Sequence, residues 1–197
     1  MKLSSITPIA CLWLAVVSIT RAQDKEARKH QGETGEPSII TRDYVQDECK
    51  LSDEQKQKLS NNSPGFMKIV GTHDNEKIWA FIKESMNAEQ FKRFEQLELQ
   101  HDGPPALFRP KIAQELKITA ELQKQFMGFV QEMQKQIEPL IKEGRSAVKP
   151  EKMEEFRLKV IKMRMDCLGK MLALVSDVQK KQWEEMTGKP FDTLRHH

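Results

Sequence analysis

The sequence predicts an all-α protein, an irregular helical bundle with a long antiparallel helical hairpin that follows a cleaved signal peptide. Three observations predict this fold class. The composition is rich in Lys, Glu, Gln, Leu and Met, which are good helix formers, and includes only one tyrosine. Two long stretches repeat apolar residues at helical spacing. A short phrase typical of helix starts recurs four times along the chain.

Residues 1–22 have the pattern of a signal peptide. A positive start precedes the apolar stretch 6–19, and small residues lead to Ala22. A helix of that length rises only about 21 Å, too little for a hydrocarbon core roughly 30 Å thick. We therefore expect cleavage near Ala22/Gln23, a periplasmic or secreted protein, and no membrane insertion afterwards. A lipid anchor on Cys11 is the less favoured alternative, because little apolar sequence precedes it.

The charge balance excludes one class of partner. Removing residues 1–22 takes away two of the 32 basic residues and no acid, which leaves 30 basic and 29 acidic residues and a net charge of +1. Proteins that bind nucleic acid carry a basic patch or stripe. Here charges of both signs alternate along the chain, as on solvated helix faces. We therefore predict no nucleic-acid partner.

The mature chain divides into three parts. Residues 23–44 are polar and lack periodicity, which predicts a flexible polar leader. Residues 45–193 carry the helical patterns and form one α-helical domain, and residues 194–197 are a tail. The stretch 66–75 could be a short helix or an irregular connection. The shorter predicted helices cover 52–60, 76–85, 88–100, 110–116 and 177–187. Gly- and Pro-containing breaks at 61–65 and 101–105 and a cap at Asn87 separate them.

Two long helices, about 119–143 and 151–175, are predicted to form the hairpin. Each has one apolar stripe, and burying such a side chain is worth roughly 1.5–3 kcal/mol, so the stripes should face each other. Trp79 and Trp183 remain outside the stripes and allow a homodimer. The stripe residues are Leu122, Phe126, Phe129, Val130, Met133, Ile137, Leu140 and Ile141 on the first helix, and Met153, Phe156, Val160, Met163, Cys167, Met171 and Leu174 on the second.

The recurring phrase places a capping residue three positions before a glutamine. At "LSDEQ", Ser52 can accept from the backbone N–H of Gln55 while the Gln55 side chain reaches back, which is a capping box. "MNAEQ" repeats this arrangement with Asn87 and Gln90. We interpret these side chains as structural, each cap contributing about 0.5–2 kcal/mol.

The two later copies differ from each other. "VSDVQ" pairs Ser176 with Gln179 in the same way. In "ITAEL" Thr119 is the cap, but Leu122 occupies the glutamine position. Four helix starts with one grammar indicate a duplicated helical unit, although their uneven spacing excludes a regular solenoid.

Two cysteines remain after maturation, Cys49 and Cys167. An oxidising compartment permits a disulfide between them, worth about 4–5 kcal/mol in the chain-entropy model. Two separate buried thiols are the equal alternative, because a free cysteine behaves as a small hydrophobe.

Motifs that carry catalysis are absent from the sequence. It contains no Gly-rich phosphate loop, G-x-S-x-G elbow or H-E-x-x-H helix, so we predict no enzyme, no catalytic residue and no cofactor. Met163 and Cys167 share a helix face, and His196 and His197 form a terminal pair. Soft ligands of this kind suit Cu(I), but without an HxxxH or CxxC pattern we assign no metal site.

The phrases "LSDEQ", "MNAEQ" and "VSDVQ" resemble the L-T-x-x-Q motif of the Spy/CpxP family of periplasmic helical proteins. The stretches "MNAEQFKRFEQLELQHDGPPALFRPKIAQELKIT" and "VSDVQKKQWEEMTGKPF" look most like uncharacterised secreted bacterial proteins that carry several such motifs. The resemblance covers roughly residues 45–193.

The resemblance implies a non-enzymatic, exported helical protein of the cell envelope. Characterised members of the family are small α-helical proteins that often dimerise, serve stress signalling or hold partly folded clients. The expected partners are therefore other proteins, either unfolded clients or one envelope partner. Two alternatives stay open: a metal-responsive (ZraP-like) envelope protein, and a structural partner-binding module.

Overall fold

The computed structural model describes residues 35–146 and 150–191, and the secondary structure in these ranges is helical, without a strand. The predicted all-α class is confirmed. None of the described helices combines the length and the apolar run needed to cross a membrane. The helices are α1 Asp43–Glu48, α2 Asp53–Lys58, α3 Pro64–Val70, α4 Asn75–Glu84, α5 Ala88–Asp102, α6 Pro110–Glu115, α7 Ala120–Ser146, α8 Pro150–Ala173 and α9 Asp177–Thr187, with 3-10 helices η1 Pro37–Thr41 and η2 Pro104–Phe108.

The described chain consists of two related halves, residues 35–102 and 103–191. Without a gap, residues 37–55 align with 104–122, and both stretches contain a 3-10 helix, a short α-helix and the start of a further helix. Lys50 and Lys117, which follow the short α-helices, both have a positive φ of 53°. The identical aligned pairs are Pro37 and Pro104, Arg42 and Arg109, Glu48 and Glu115, Lys50 and Lys117, and Glu54 and Glu121.

A second stretch aligns in the same way. Residues 84–98 match 173–187, so that α5 and α9 begin at equivalent positions after α4 and α8 end at equivalent positions. Between the two stretches the halves differ: the first half has the short α2, α3 and α4, whereas the second has the long α7 and α8. The duplicated unit indicated by the four helix starts is therefore a pair of motifs in each half.

Each half has its own hydrophobic core. The first core contains Ile39, Ile40, Val45, Cys49, Leu51, Leu59, Phe66, Ile78, Ile82, Phe94 and Leu97. The second core contains Leu99, Ala106, Leu107, Ile112, Ala113, Leu116, Ile118, Phe126, Val130, Met133, Ile137, Cys167, Met171, Val175 and Trp183. Because Leu99 of α5 belongs to the second core and Phe191 packs against the first, the two halves are interlocked.

The predicted hairpin is present, and α7 against α8 is the most extensive helix contact of the described residues. Every stripe residue predicted on α7 is buried or half-buried. On α8 one prediction is wrong, since Leu174 is 41% exposed. The reason is that α8 ends at Ala173 and the chain leaves the helical path, so Val175 enters the core instead.

The predicted leader 23–44 is wrong at its C-terminal end. Residues 37–44 lie in η1, the connection and the start of α1, and Ile39 and Ile40 are fully buried in the first core. Gln46 holds this segment by donating from Nε2 to the Ile40 carbonyl at 2.9 Å. The helical domain therefore begins at Pro37 rather than at residue 45. Residues 1–34, with the predicted signal peptide, and the tail 194–197 lie outside the described residues.

The structure also describes two regions that the sequence left open. Trp183 is only 5% exposed in the second core, and Trp79 is half-buried, with its ring 5.2 Å from Phe94 and 6.1 Å from Phe91. The homodimer that these tryptophans allowed stays a prediction. The stretch 66–75, left open by the sequence, contains most of α3 and a turn before α4.

Candidate functional site

Both capping boxes of the first half are present. Ser52 Oγ accepts from the Gln55 N–H at 3.3 Å, and Gln55 Oε1 accepts from the Ser52 N–H at 2.9 Å. Asn87 and Gln90 make the same exchange at 2.9 and 3.0 Å. In each box the glutamine uses only its oxygen, so its amide nitrogen remains available to donate.

The amide nitrogens tie the two motifs together. Gln55 Nε2 donates to the Ser85 carbonyl at 2.8 Å, and Gln90 Nε2 donates to the Lys50 carbonyl at 2.9 Å. The two side chains also contact each other, with Gln55 Nε2 2.9 Å from Gln90 Oε1 and Gln90 Nε2 3.1 Å from Gln55 Oε1. One glutamine thus caps the start of its own helix and satisfies a carbonyl at the end of another, which explains why the phrase ends in glutamine.

The second half repeats this arrangement incompletely. Ser176 and Gln179 form a capping box at 3.3 and 2.8 Å, and Gln179 Nε2 donates to the Leu116 carbonyl at 2.7 Å. Thr119 Oγ1 accepts from the Leu122 N–H at 3.2 Å. Leu122 has no amide, so the reciprocal tie of the first half has no counterpart here.

The cysteines follow the second of the two alternatives. Cys49 and Cys167 are free, buried thiols, and they belong to different cores. Burial raises the pKa of Cys49 to about 12 and raises that of Cys167 as well. Both side chains fill core positions, as expected of small hydrophobes.

A buried ionic cluster lies where the halves meet, and we call it the junction cluster. Glu98 of α5 is only 2% exposed, and its carboxylate accepts both arms of the Arg109 guanidinium, Nη1 at 2.7 Å and Nη2 at 2.6 Å. A bidentate pair of this kind forms two parallel charge-assisted hydrogen bonds, and such bonds are among the strongest in proteins. The members of the cluster are Glu36, Glu98, His101, Asp102, Arg109 and Arg164.

Three elements close this cluster. Arg109 also contacts the Asp102 carboxylate. Arg164 of α8 donates to the Asp102 carbonyl at 2.6 Å, and the Glu36 N–H donates to Glu98 Oε1 at 2.8 Å. Gly35 lies so close that an added Cβ would come within 1.6 Å of Glu98 Oε1, so only glycine fits there.

The electrostatics of the cluster follow from its burial. Burial raises the pKa of Asp102, with Arg109 acting in the opposite direction. Burial lowers the pKa of the Arg164 guanidinium. For Arg109 burial opposes the charge, but its bonds to Glu98 and Asp102 hold its pKa above the ordinary value. The charged groups thus neutralise one another inside the protein, and the junction cluster connects the two halves through ion pairs and hydrogen bonds.

A shallow groove of about 600 Å³ lies beside the first motif pair. Its wall contains Cys49, Gln90 and the ion pair between Arg93 and Glu48, whose closest N–O distance is 2.7 Å. The Arg93 guanidinium also donates to the Lys189 carbonyl at 2.9 Å, which joins the groove to the end of the chain's described part. These side chains are already paired within the protein.

Met163 and Cys167, predicted to share a helix face, lie four residues apart on α8. The sulfur contact that the structure shows is between Cys167 Sγ and Met171 Sδ, one turn later, at 3.9 Å. His196 and His197 lie outside the described residues. Within 35–146 and 150–191, no group of three or more His, Cys, Asp or Glu side chains is placed to hold a metal ion.

Sequence reasoning found the caps and missed the junction cluster. Glu98 and Arg109 are charged, and charged side chains are mostly exposed, so the residue types themselves gave no sign of burial. One signal was available, because Arg109 occupies the position of Arg42 in the gapless repeat. The fold and these sites together define the class: an all-α protein of two related halves, each closed by a pair of helix-start motifs. Neither a family model, a curated protein nor a solved structure matches the chain.

Proposed function

We propose that this is an exported, non-catalytic helical protein of the Spy/CpxP type, periplasmic or secreted, that binds other polypeptides through its surface. The pattern of residues 1–22 supports export, and the L-T-x-x-Q-like phrases support the family. The observation that carries polypeptide binding is a set of large apolar side chains that stay 40–70% exposed on a helical frame. Three of the six are methionines, which adapt to irregular apolar surfaces. They are Met67, Met127, Leu158, Met165, Leu174 and Val178.

The polar sites support a framework rather than a reacting centre. The motif glutamines donate hydrogen bonds to backbone carbonyls, and the buried charges of the junction cluster pair with one another. A rigid frame of this kind presents its apolar side chains without the entropy cost of ordering them at the moment of binding.

The test is an aggregation assay with the mature protein. At a stoichiometric ratio, it should slow the aggregation of a chemically denatured client, whereas an equal concentration of an unrelated helical protein should not. Equal aggregation with and without the protein would reject client binding. Pull-down from envelope extract then separates two roles: many unfolded partners support a chaperone, and one stoichiometric partner supports a structural partner-binding module.

A metal-responsive role is the second candidate, favoured by the Cys167 and Met171 sulfur atoms 3.9 Å apart. Two soft ligands suit Cu(I), although burial raises the pKa of Cys167 and so opposes the thiolate that a metal needs. Calorimetric titration with Cu(I) under reducing conditions should show tight binding that Met171→Leu weakens. Absence of binding would reject this role.

A further inference from the structure

Equivalent ends of the two halves carry different side chains, polar in the first half and apolar in the second. The start of α7, the end of α8 and the start of α9 meet at one end of the second half, because the hairpin is antiparallel and Gln179 ties α9 to Leu116. Val178 is 70% exposed there and Leu174 is 41% exposed. We call this surface the second motif end, and its apolar members are Ala120, Leu122, Ala173, Leu174 and Val178.

Every one of these positions is polar in the first half. The gapless alignments pair Ala120 with Asp53 and Val178 with Glu89, both pairs exposed. The full equivalents of the second motif end, in the same order, are Asp53, Gln55, Glu84, Ser85 and Glu89. The same fold position therefore tolerates polar side chains, and its local geometry does not require apolar ones.

The exchange also removes a hydrogen bond that the first half has. The Gln55 amide satisfies the Ser85 carbonyl at 2.8 Å, and Leu122 offers no such bond to the equivalent Leu174. Acidic residues in the first turn of a helix stabilise it by about 0.3–1 kcal/mol. α7 has one such acid, Glu121, where α2 has Asp53 and Glu54, whereas α9 has Asp177 where α5 has Glu89. Leu122 packs against the second core, but Leu174 and Val178 are exposed, and exposed apolar side chains that lie together point to a surface that contacts another molecule.

The charge around this surface specifies the occupant further. Relative to the first half, three acids are replaced by Ala120, Ala173 and Val178. The one acid gained, Asp177, is paired with Lys180 at 3.2 Å, and Glu121 keeps the place of Glu54. With fewer acids around this end than around its first-half equivalent, and one fewer in the first turn of α7, an acidic side chain of a ligand is favoured over a basic one.

We propose that the second motif end is a docking surface for an apolar segment of another polypeptide that carries an acidic flank. This rests on the proposed polypeptide-binding function and names its site. A second copy of the chain is not the occupant, because a stable dimer buries about 800 Å² on each partner, and five side chains, two of them alanines, fall well short of that. A short segment needs no more than this surface offers.

The test transplants the first half's residues onto the second. The variant Ala120→Asp/Leu174→Ser/Val178→Glu carries the side chains that the first half already uses at these positions. Binding is measured by fluorescence anisotropy with a labelled peptide of alternating Leu and Val flanked by Glu, and with the same core flanked by Lys. We expect the native protein to bind the Glu-flanked peptide more tightly than the Lys-flanked one. The variant should bind the Glu-flanked peptide at least tenfold more weakly than the native protein does.

The matched control changes the first half in the opposite direction. Asp53→Ala/Glu89→Val gives the first half an apolar end, and it should keep native affinity or gain a second binding event. Helical circular dichroism and the unfolding midpoint check that each variant is folded. Should the triple variant fail to fold, Val178→Glu alone, at the most exposed position, carries the test.

The outcomes separate the two proposals. If the native protein protects a denatured client but the transplanted variant binds and protects equally well, the docking surface is wrong and the proposed function stands. If the native protein neither binds the peptides nor protects clients, both are overturned. A concentration-dependent dimer in sedimentation that the triple variant abolishes would overturn the docking surface in favour of self-association.

Discussion

At Gln90 one side chain performs two separable tasks. Its oxygen closes the capping box with Asn87, and its nitrogen donates to the Lys50 carbonyl at 2.9 Å. Replacing an amide by a carboxylate keeps the first task and removes the second, because a capping box accepts glutamate as readily as glutamine.

Gln90→Glu should therefore lower the free energy of unfolding by about 1–3 kcal/mol, the cost of a partly buried carbonyl left without its donor. Urea unfolding followed by circular dichroism measures this change. The control is Glu89→Gln, the opposite exchange at the exposed neighbour. A loss in Gln90→Glu no larger than in the control would show that the tie to Lys50 contributes nothing.

Cys49 predicts a pH dependence. Burial raises its folded-state pKa from 9.0 to about 12. A raised pKa means that the folded state holds this proton more tightly than the unfolded state does. The contribution of the protonated thiol to the free energy of unfolding is therefore complete below pH 9, and it is lost as the pH rises towards the folded-state pKa. Over that window the free energy of unfolding should fall by about 1.4 kcal/mol per pH unit from this group.

The measurement compares urea unfolding between pH 8 and 10.5 for the native protein and Cys49→Ala. Other groups titrate in this range in both proteins, so the difference in slope isolates Cys49. We expect the free energy of unfolding to fall less steeply with pH in Cys49→Ala than in the native protein. An equal pH dependence in the two proteins would contradict a buried thiol at Cys49. The same buried environment predicts two alkylatable thiols after unfolding without reductant, since Cys49 and Cys167 lie in different cores.

At the scale of an element, α8 shows where periodicity stops being a guide. Met171 and Leu174 both fall on the stripe predicted from spacing, yet Met171 is 0% exposed and Leu174 is 41% exposed. Met171→Ala should destabilise by about 2–5 kcal/mol, as buried large-to-small changes do. Leu174→Ala should cost well under half as much. Thermal and urea unfolding of the two variants decide the matter, and equal losses would mean that α8 continues past Ala173.

At the scale of the whole molecule, the junction cluster should decide whether the halves unfold together. Arg109→Met leaves the buried Glu98 carboxylate without its main partner, which should cost about 3–5 kcal/mol. Arg42 is the equivalent arginine of the first half, and its guanidinium donates to the neutral Tyr44 hydroxyl at 3.2 Å. Arg42→Met should therefore cost less than about 1 kcal/mol.

Each half contains its own fluorescent reporter, Trp79 in the first and Trp183 in the second. In protein produced without residues 1–22, Trp79→Phe and Trp183→Phe give single-tryptophan backgrounds. We expect the two single-tryptophan proteins to unfold at the same urea concentration, and at different concentrations once Arg109→Met is added. The reason is that the junction cluster should couple the unfolding of the two halves. Transitions that still coincide would assign the coupling to apolar contacts such as Leu99 instead.

How much of this could be predicted from the sequence differs by element. The caps Ser52, Asn87 and Ser176 were predictable because a capping box is a local rule that four residues satisfy alone. The burial of Ile39 and Ile40 was not, because two adjacent apolar residues have no period and their segment is held by distant groups such as Glu98. The apolar second motif end became visible only when the halves were aligned.

The contact of Gly35 with the Glu98–Arg109 pair has a mechanical consequence. The chain enters the described structure at the seam between the halves, not at the outer surface of either core. Tension applied to the N-terminal side would load the carboxylate and guanidinium of the seam first. The strength of that seam, rather than the packing of either core, would set the force at which the molecule yields.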